Sequence, residues 1–269
     1  MLQPIAILDS GVGGLTVAKE VMRQLPREKI IYYGDTARTP YGPRSSEEVV
    51  RFTREIVDYL IQFRPKMIVI ACNTATAAAL EDIRSRVQVP VVGVINPGAR
   101  AAIRRTETGC VGVIGTEGTI KSGAYEQALR LLTPDVRVIS EACPEFVPLV
   151  EKGNFRSAKT FETVRKSIGH LRQYPMDTLI LGCTHYPFLM ETISEVMGQG
   201  VNLISSADET ACEIRTILQD GKQLAGAGYE PVHQFFCSGD SLMFKSIAER
   251  WLGKQIGLSP VVWQVPAIV

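Results

Sequence analysis

The chain reads as an α/β protein built on parallel sheets, and three observations carry that reading. Short, largely apolar runs recur at residues 4–8, 67–71, 110–114 and 178–181, without the polar alternation of a half-exposed sheet, as strands covered on both faces require. Each run is followed by a polar or glycine-rich loop and then a helix-like stretch, the order of a parallel sheet with helical crossovers. The order then starts again. Aligning 8–10 on 114–116 gives an offset of 106, and aligning 71–73 on 182–184 gives 111 and superposes Cys72 on Cys183. We read this as an internal duplication of low identity.

In the first half, the strand at 4–8 meets the break 9–14, then a helix over 15–25 closed by Pro26, a strand at 29–33 and a turn-rich loop over 34–44. A helix starts at Ser45 or Ser46, where Glu47 and Glu48 suit the positive end of the helix dipole, and runs to Phe63. The strand at 67–71 ends in Cys72-Asn73-Thr74 before an alanine-rich helix over 75–86, and a short strand at 91–94 precedes the breaker Asn96-Pro97-Gly98. In the second half, the strand at 110–114 ends in 115–119 and a helix continues to Leu132. A strand at 136–139 ends in 140–144, and a polar helical region covers 157–172. The strand at 178–181 ends in Gly182-Cys183-Thr184-His185 before a helix over 188–196.

The rest of the chain offers a strand at 201–205, a helix over 208–219, a strand near Phe235 and a helix over 241–252. This is too little for a third independent domain, so it is expected to return to the first half. The expected division is 1–96 with 208–269 as the first α/β domain, supplying Cys72, and 97–207 as the second, supplying Cys183. A chain of 269 residues is comfortable for two such units, and no low-complexity linker interrupts it.

Lys and Arg number 29 against 28 Asp and Glu, a net charge of +1, so nothing in bulk charge draws the chain to nucleic acid or anionic lipid. Hydrophobic residues at 45% and charged ones at 21% exclude a disordered chain. The first residues lack a basic lead and a long apolar core, and no apolar run approaches the roughly 20 residues of a membrane helix. A soluble cytoplasmic protein, binding neither nucleic acid nor membrane, is expected. The six cysteines, at 72, 110, 143, 183, 212 and 237, form no C-x-x-C pair and point to neither a zinc finger nor a disulfide scaffold.

In open parallel sheets ligands collect beyond the carboxyl ends of the strands. The polar clusters expected there are Asp9-Ser10, Cys72-Asn73-Thr74, 116–119 and Cys183-Thr184-His185. Gly11, Gly13 and Gly14 do not complete a dinucleotide fingerprint, because position 16 is threonine, and no P-loop is present, so they read as tight-turn glycines. A nucleophile elbow around Cys183 is absent, and the C-x-H spacing of Cys183 and His185 is uncharacteristic of zinc. A hydrolase or a metal site also leaves one cysteine of the pair unexplained.

A symmetric acid/base pair explains both. Inverting a carbon acid takes a proton from one face and delivers another to the opposite face, work that two thiols can share. A thiol with a pKa of about 8.5 is only slightly ionised at neutrality, so each needs a helper. His185 is placed to serve Cys183. Asp9 can serve Cys72 or hold a substrate ammonium group, and Glu151 is a further carboxylate. The 34–44 loop has the composition of a functional loop. His170, His233, Cys110, Cys143, Cys212 and Cys237 read as structural.

Residues 9–16, 33–38 with 40–42, 71–75, 115–119, 143–151 and 182–187 together resemble the glutamate racemases, cofactor-independent enzymes that make D-glutamate for bacterial peptidoglycan. The resemblance covers nearly the whole chain. It implies two similar α/β domains related by pseudo-symmetry, with the active site in the cleft between them and a homodimeric assembly. It implies Cys72 and Cys183 as the acid/base thiols, assisted by Asp9, Glu151 and His185. It places substrate contacts at Asp9, Ser10, Tyr41, Gly42, Asn73, Thr74, Thr184 and His185, with Thr116 and Thr119 as weaker additions, and calls for no cofactor or metal. The alternatives are an aspartate-directed relative, a Cys183/His185 amide hydrolase that would tolerate loss of Cys72, and a silent amino-acid-binding protein.

Overall fold

A computed structural model describes residues 3–226, 228 and 230–253. Met1, Leu2 and the 254–269 part of the segment assigned to the first domain lie outside the described residues.

The first sheet is built from β1 (Ile5–Asp9), β2 (Ile30–Gly34), β3 (Met67–Ile70), β4 (Val91–Gly93) and β9 (Gln234–Cys237), in the order β4-β3-β1-β2-β9. The second holds β5 (Cys110–Gly115), β6 (Arg137–Ala142), β7 (Thr178–Gly182) and β8 (Asn202–Ile204), in the order β6-β5-β7-β8. Every pairing is parallel. The order β4-β3-β1-β2 maps onto β8-β7-β5-β6 strand for strand, so the two-domain α/β fold is one pattern used twice, with β9 added to the edge of the first sheet. β1 corresponds to β5 and β3 to β7, the equivalence implied by the repeat in sequence.

The apolar runs form the central strands because both faces are covered: Ile5 to Leu8, Met67 to Ile70 and Cys110 to Ile114 are all buried. One hydrophobic cluster runs from Ile7, Val12 and Val69 through Ile114 and Leu181 to Phe146, so the two halves share a continuous core. At roughly 25 cal/mol per Å² of apolar surface removed from water, that shared core is the main force holding the halves together.

Helices follow the strands in crossover order: α1 (Leu15–Gln24), α2 (Ser46–Leu60), α3 (Asn73–Arg86), α4 (Ile95–Arg105), α5 (Glu117–Lys121), α6 (Ala124–Leu132), α7 (Phe146–Glu151), α8 (Ala158–Ile168), α9 (Met190–Met197), α10 (Ala207–Asp220) and α11 (Ser241–Leu252). α2 opens with a capping box, the Ser45 hydroxyl accepting from Glu48 N–H at 3.2 Å while the Glu48 carboxylate accepts from Ser45 N–H at 3.3 Å.

Three sequence readings change. The breaker Asn96-Pro97-Gly98 lies inside α4, and a helix absent from the sequence reading, α7, contains Pro148. In both, proline is the third helical residue, within the first turn, where its missing N–H would have had no partner. The helix expected to run to Leu132 breaks into α5 and α6 at Gly123, whose φ of +66° suits glycine.

Away from the cleft, Lys66 Nζ pairs with Glu28 Oε2 at 2.6 Å, both side chains 3% exposed. Lys66 also donates to Gln223 O, and Glu28 accepts from Ala225 N–H, which pins the connection between α10 and β9. Among the described residues no helix is long and apolar enough to cross a membrane.

Candidate active site

The loops after β1, β3, β5 and β7 converge on a small cavity between the halves. It is lined by Ser10 after β1, Tyr41 and Gly42 of the 34–44 loop, Cys72, Asn73 and Thr74 after β3, Thr116 after β5, and Cys183, Thr184 and His185 after β7. Pro40 and Val147 complete the wall, two residues the sequence reading did not single out. Both thiols therefore face one space, each 5–6% exposed.

Cys72 caps the N-terminus of α3, its Sγ accepting from Ala75 N–H at 3.4 Å. Burial, with the negative charge of Asp9, pushes this thiol up to about 12, against the pull of Ala75 N–H and the Ser10 hydroxyl. Cys183 has a different neighbour. Its Sγ lies 3.8 Å from His185 Nδ1, and His185 Nε2 meets Glu151 Oε1 at 2.5 Å. Burial alone would lower the imidazole, but the hydrogen bonds and charges of Cys183 and Glu151 outweigh it and hold His185 well above its ordinary value. Burial would raise Glu151, yet the bond and charge of His185 and Val12 N–H hold it below the usual carboxylate range. The pair is thus a buried imidazolium and carboxylate, with an N–H presented to the Cys183 sulfur.

Asp9 sits beneath the cavity rather than in its wall. Its Oδ1 accepts from Gly11 N–H at 2.9 Å and its Oδ2 from the Thr184 hydroxyl at 3.0 Å, and burial raises its carboxyl despite the nearby His185 charge. Thr74, Thr116 and Thr119 close a triangle of hydroxyls, with Thr74 bridging to Thr116 at 2.8 Å and to Thr119 at 3.2 Å. Thr119 stands behind the other two, 1% exposed. Tyr41 turns its hydroxyl away from the cavity, donating to Asp35 Oδ2 at 2.5 Å, and Asp35 also holds Arg38 and the Ser238 hydroxyl. Arg38 completes a pair with Glu55, so this loop arginine is committed to structure.

The glycines at 11–14 serve a tighter purpose than a turn. A Cβ on Gly11 would stand 2.6 Å from Glu151 Oε1, and one on Gly13 would overlap Thr184 and His185. They let the first half approach the loops of the second that carry Glu151, Thr184 and His185. Gly42 does the same beside Thr116, and its carbonyl accepts from Gly118 N–H at 2.9 Å across the cleft. Among the described residues no group of three or more His, Cys, Asp or Glu is placed to hold a metal ion.

A two-domain parallel α/β fold with paired thiols at equivalent strand ends defines a class. The family model described as Asp/Glu/Hydantoin racemase matches residues 13–214, and the chain belongs to that family; it is an amino-acid racemase, an isomerase. It is 55% identical over 252 residues to the glutamate racemase of Bacillus cereus, covering 94% of each chain. To the glutamate racemase of Enterococcus faecalis it is 51% identical, covering 93% of this chain and 92% of that one. A crystal structure of a glutamate racemase isoform from Bacillus anthracis matches with a TM-score of 0.93 at 50% identity, over 96% of this chain and 97% of that one. That of Francisella tularensis in complex with D-glutamate matches with a TM-score of 0.89 at 33% identity, over the same shares.

Proposed function

We propose that the chain interconverts L- and D-glutamate without a cofactor, by a two-thiol acid/base mechanism. The observation that carries this reading is that Cys72 and Cys183, at the ends of the equivalent strands β3 and β7, line one cavity. One sulfur, as thiolate, takes the proton from Cα, and the electron pair passes into the carboxylate as the carbanion forms. The other, as thiol, delivers its proton to the opposite face, and the roles exchange in the reverse direction. The environments are already unequal. Cys72 is held in its protonated form by burial and Asp9, whereas Cys183 faces His185 Nδ1 at 3.8 Å.

In this reading His185 and Glu151 assist Cys183, and Asp9 acts on Cys72 from beneath the cavity, where both its oxygens are already taken, rather than holding the substrate ammonium group. The substrate carboxylates meet Ser10, Asn73, Thr74 and Thr184, of which Asn73 and Thr74 stand at the N-terminus of α3, with Tyr41, Gly42 and Thr116 in the cavity wall and Thr119 bracing Thr74 and Thr116 from behind. Fixed dipoles of this kind stabilise the developing carbanion where no pyridoxal ring is present to do so. The same reading divides the chain as 1–96 with 208–269 and 97–207, supported for the described residues by the membership of the two sheets. It makes the protein a cytoplasmic homodimer that supplies D-glutamate for peptidoglycan.

Racemisation followed by circular dichroism in deuterated water tests it. The expected result is product carrying deuterium at Cα while recovered substrate carries little. Turnover of aspartate but not glutamate, or extensive labelling of unreacted substrate, would overturn it.

A further inference from the structure

The helix break at Gly123 turns Tyr125, the second residue of α6, inward to a position 2% exposed, beneath the cavity and between the halves. Two glycines make room for its ring. A Cβ on Gly98 would stand 3.1 Å from Tyr125 Oη, and one on Gly182, which precedes Cys183, would stand 3.1 Å from Cε2. The Tyr125 hydroxyl crosses to the first half and donates to Asn73 Oδ1 at 2.7 Å. Asn73 follows Cys72, lines the cavity and is 2% exposed, yet its Nδ2 is buried with no hydrogen-bond partner. A buried donor without an acceptor is costly, and a native structure keeps one where a ligand completes it.

We infer that Tyr125 is a positioning residue: it locks the Asn73 amide so that Nδ2 points into the cavity as a donor to the substrate carboxylate next to the reacting carbon. This deepens the racemase reading and rests on it. Asn73 Oδ1 is the acceptor the Tyr125 hydroxyl finds among the described residues. Flipping the amide would leave the phenolic proton orphaned, so the tyrosine selects one orientation of a side chain otherwise free to present either end. Burial, then the nearby Cys183 charge, push the phenol up, and it stays a donor throughout the working pH range. The brace is reciprocal: Asp9 of the first half holds Thr184, the residue after Cys183, and Tyr125 of the second half holds Asn73, the residue after Cys72. Each half orients the dipole beside the other half's thiol, so Asn73 becomes a competent donor only when the halves are together.

The test compares D-glutamate binding by calorimetry and initial rates for wild type, Tyr125→Phe, Asn73→Ala and the double variant. Tyr125→Phe removes one oxygen and is expected to weaken binding and kcat/KM about tenfold, while the melting temperature without glutamate falls only by what one lost buried hydrogen bond is worth and the protein stays folded at the assay temperature. In the Asn73→Ala background the tyrosine change is expected to have no further effect. Asn73→Asp keeps an acceptor for Tyr125 but turns a carboxylate oxygen into the cavity, and is expected to bind glutamate more weakly than Asn73→Ala. Wild-type affinity in Tyr125→Phe, losses that multiply in the double variant, or binding retained in Asn73→Asp would each overturn the inference. Wild-type protein that racemises no glutamate would instead overturn the reading beneath it.

Discussion

The Thr184 hydroxyl donates to Asp9 Oδ2 at 3.0 Å across the cleft, joining the strand end that carries one thiol to the carboxylate beneath the other. Asp9 is wholly buried and accepts on both oxygens, so its position is fixed by partners on both sides of the cleft.

Replacing either thiol tests the shared labour directly. Cys72→Ala and Cys183→Ala should each lower racemisation by about 10²–10⁴-fold in both directions, the usual worth of a positioned acid or base. Polarimetry from each enantiomer reads it, and substantial racemisation by either variant would contradict the symmetric scheme.

Alkylation separates the two sulfurs. With its thiol pushed up to about 12, Cys72 stays protonated at physiological pH. In a Cys183→Ala background, iodoacetamide labelling of Cys72 should remain slow through pH 9 and accelerate only in strong alkali, as mapped by peptide mass spectrometry.

The His185–Glu151 pair gives stability a defined pH window. His185 is held above its ordinary 6.5, so its contribution is full below that pH and is lost as pH rises through the raised value. Glu151 is held below its ordinary 4.5, so its contribution is full above that pH and is lost as pH falls through the lowered value. The melting-temperature advantage of wild type over Glu151→Gln should therefore be greatest between pH 4.5 and 6.5. It should shrink in alkali as His185 gives up its proton. An advantage that grows with alkalinity would contradict the charged pair.

Close packing at Gly13 predicts a catalytic loss of steric origin. Gly13→Ala sets a methyl against Thr184 and His185, and overpacking of this kind costs about 1–3 kcal/mol. The displaced imidazole should lower kcat at least tenfold, with a smaller loss in denaturant midpoint.

The buried Lys66–Glu28 pair predicts the converse. Lys66→Met strands a carboxylate that is 3% exposed and should cost about 3–5 kcal/mol in urea unfolding, while kcat in the surviving folded protein stays unchanged.

The parts of the fold written in local pattern were legible in the sequence. The buried runs that became β1, β3, β5 and β7 needed only an apolar segment of strand length, and their polar ends needed only the residues next in the chain. α4 and α7 were not legible, because proline reads as a breaker until its place within the first helical turn is known. Asp35 and Tyr125 carried no spacing signal. Each acts through a partner distant in sequence, Tyr125 upon Asn73 and Asp35 upon Ser238, and only the folded chain brings these together. The glycines at 11, 13 and 14 were legible as a tight turn, which they form, but local pattern did not show that Gly11 and Gly13 also permit the approach of Glu151, Thr184 and His185.

The cavity between the thiols measures about 10 Å³, the room of a single water molecule. An amino acid with two carboxylates needs more room than this, so the loops that line the cavity must stand farther apart around it. The contacts Gly118–Gly42, Thr74–Thr116, Thr184–Asp9 and Tyr125–Asn73 all cross the seam, so widening the cavity for such a ligand bears on these clasps.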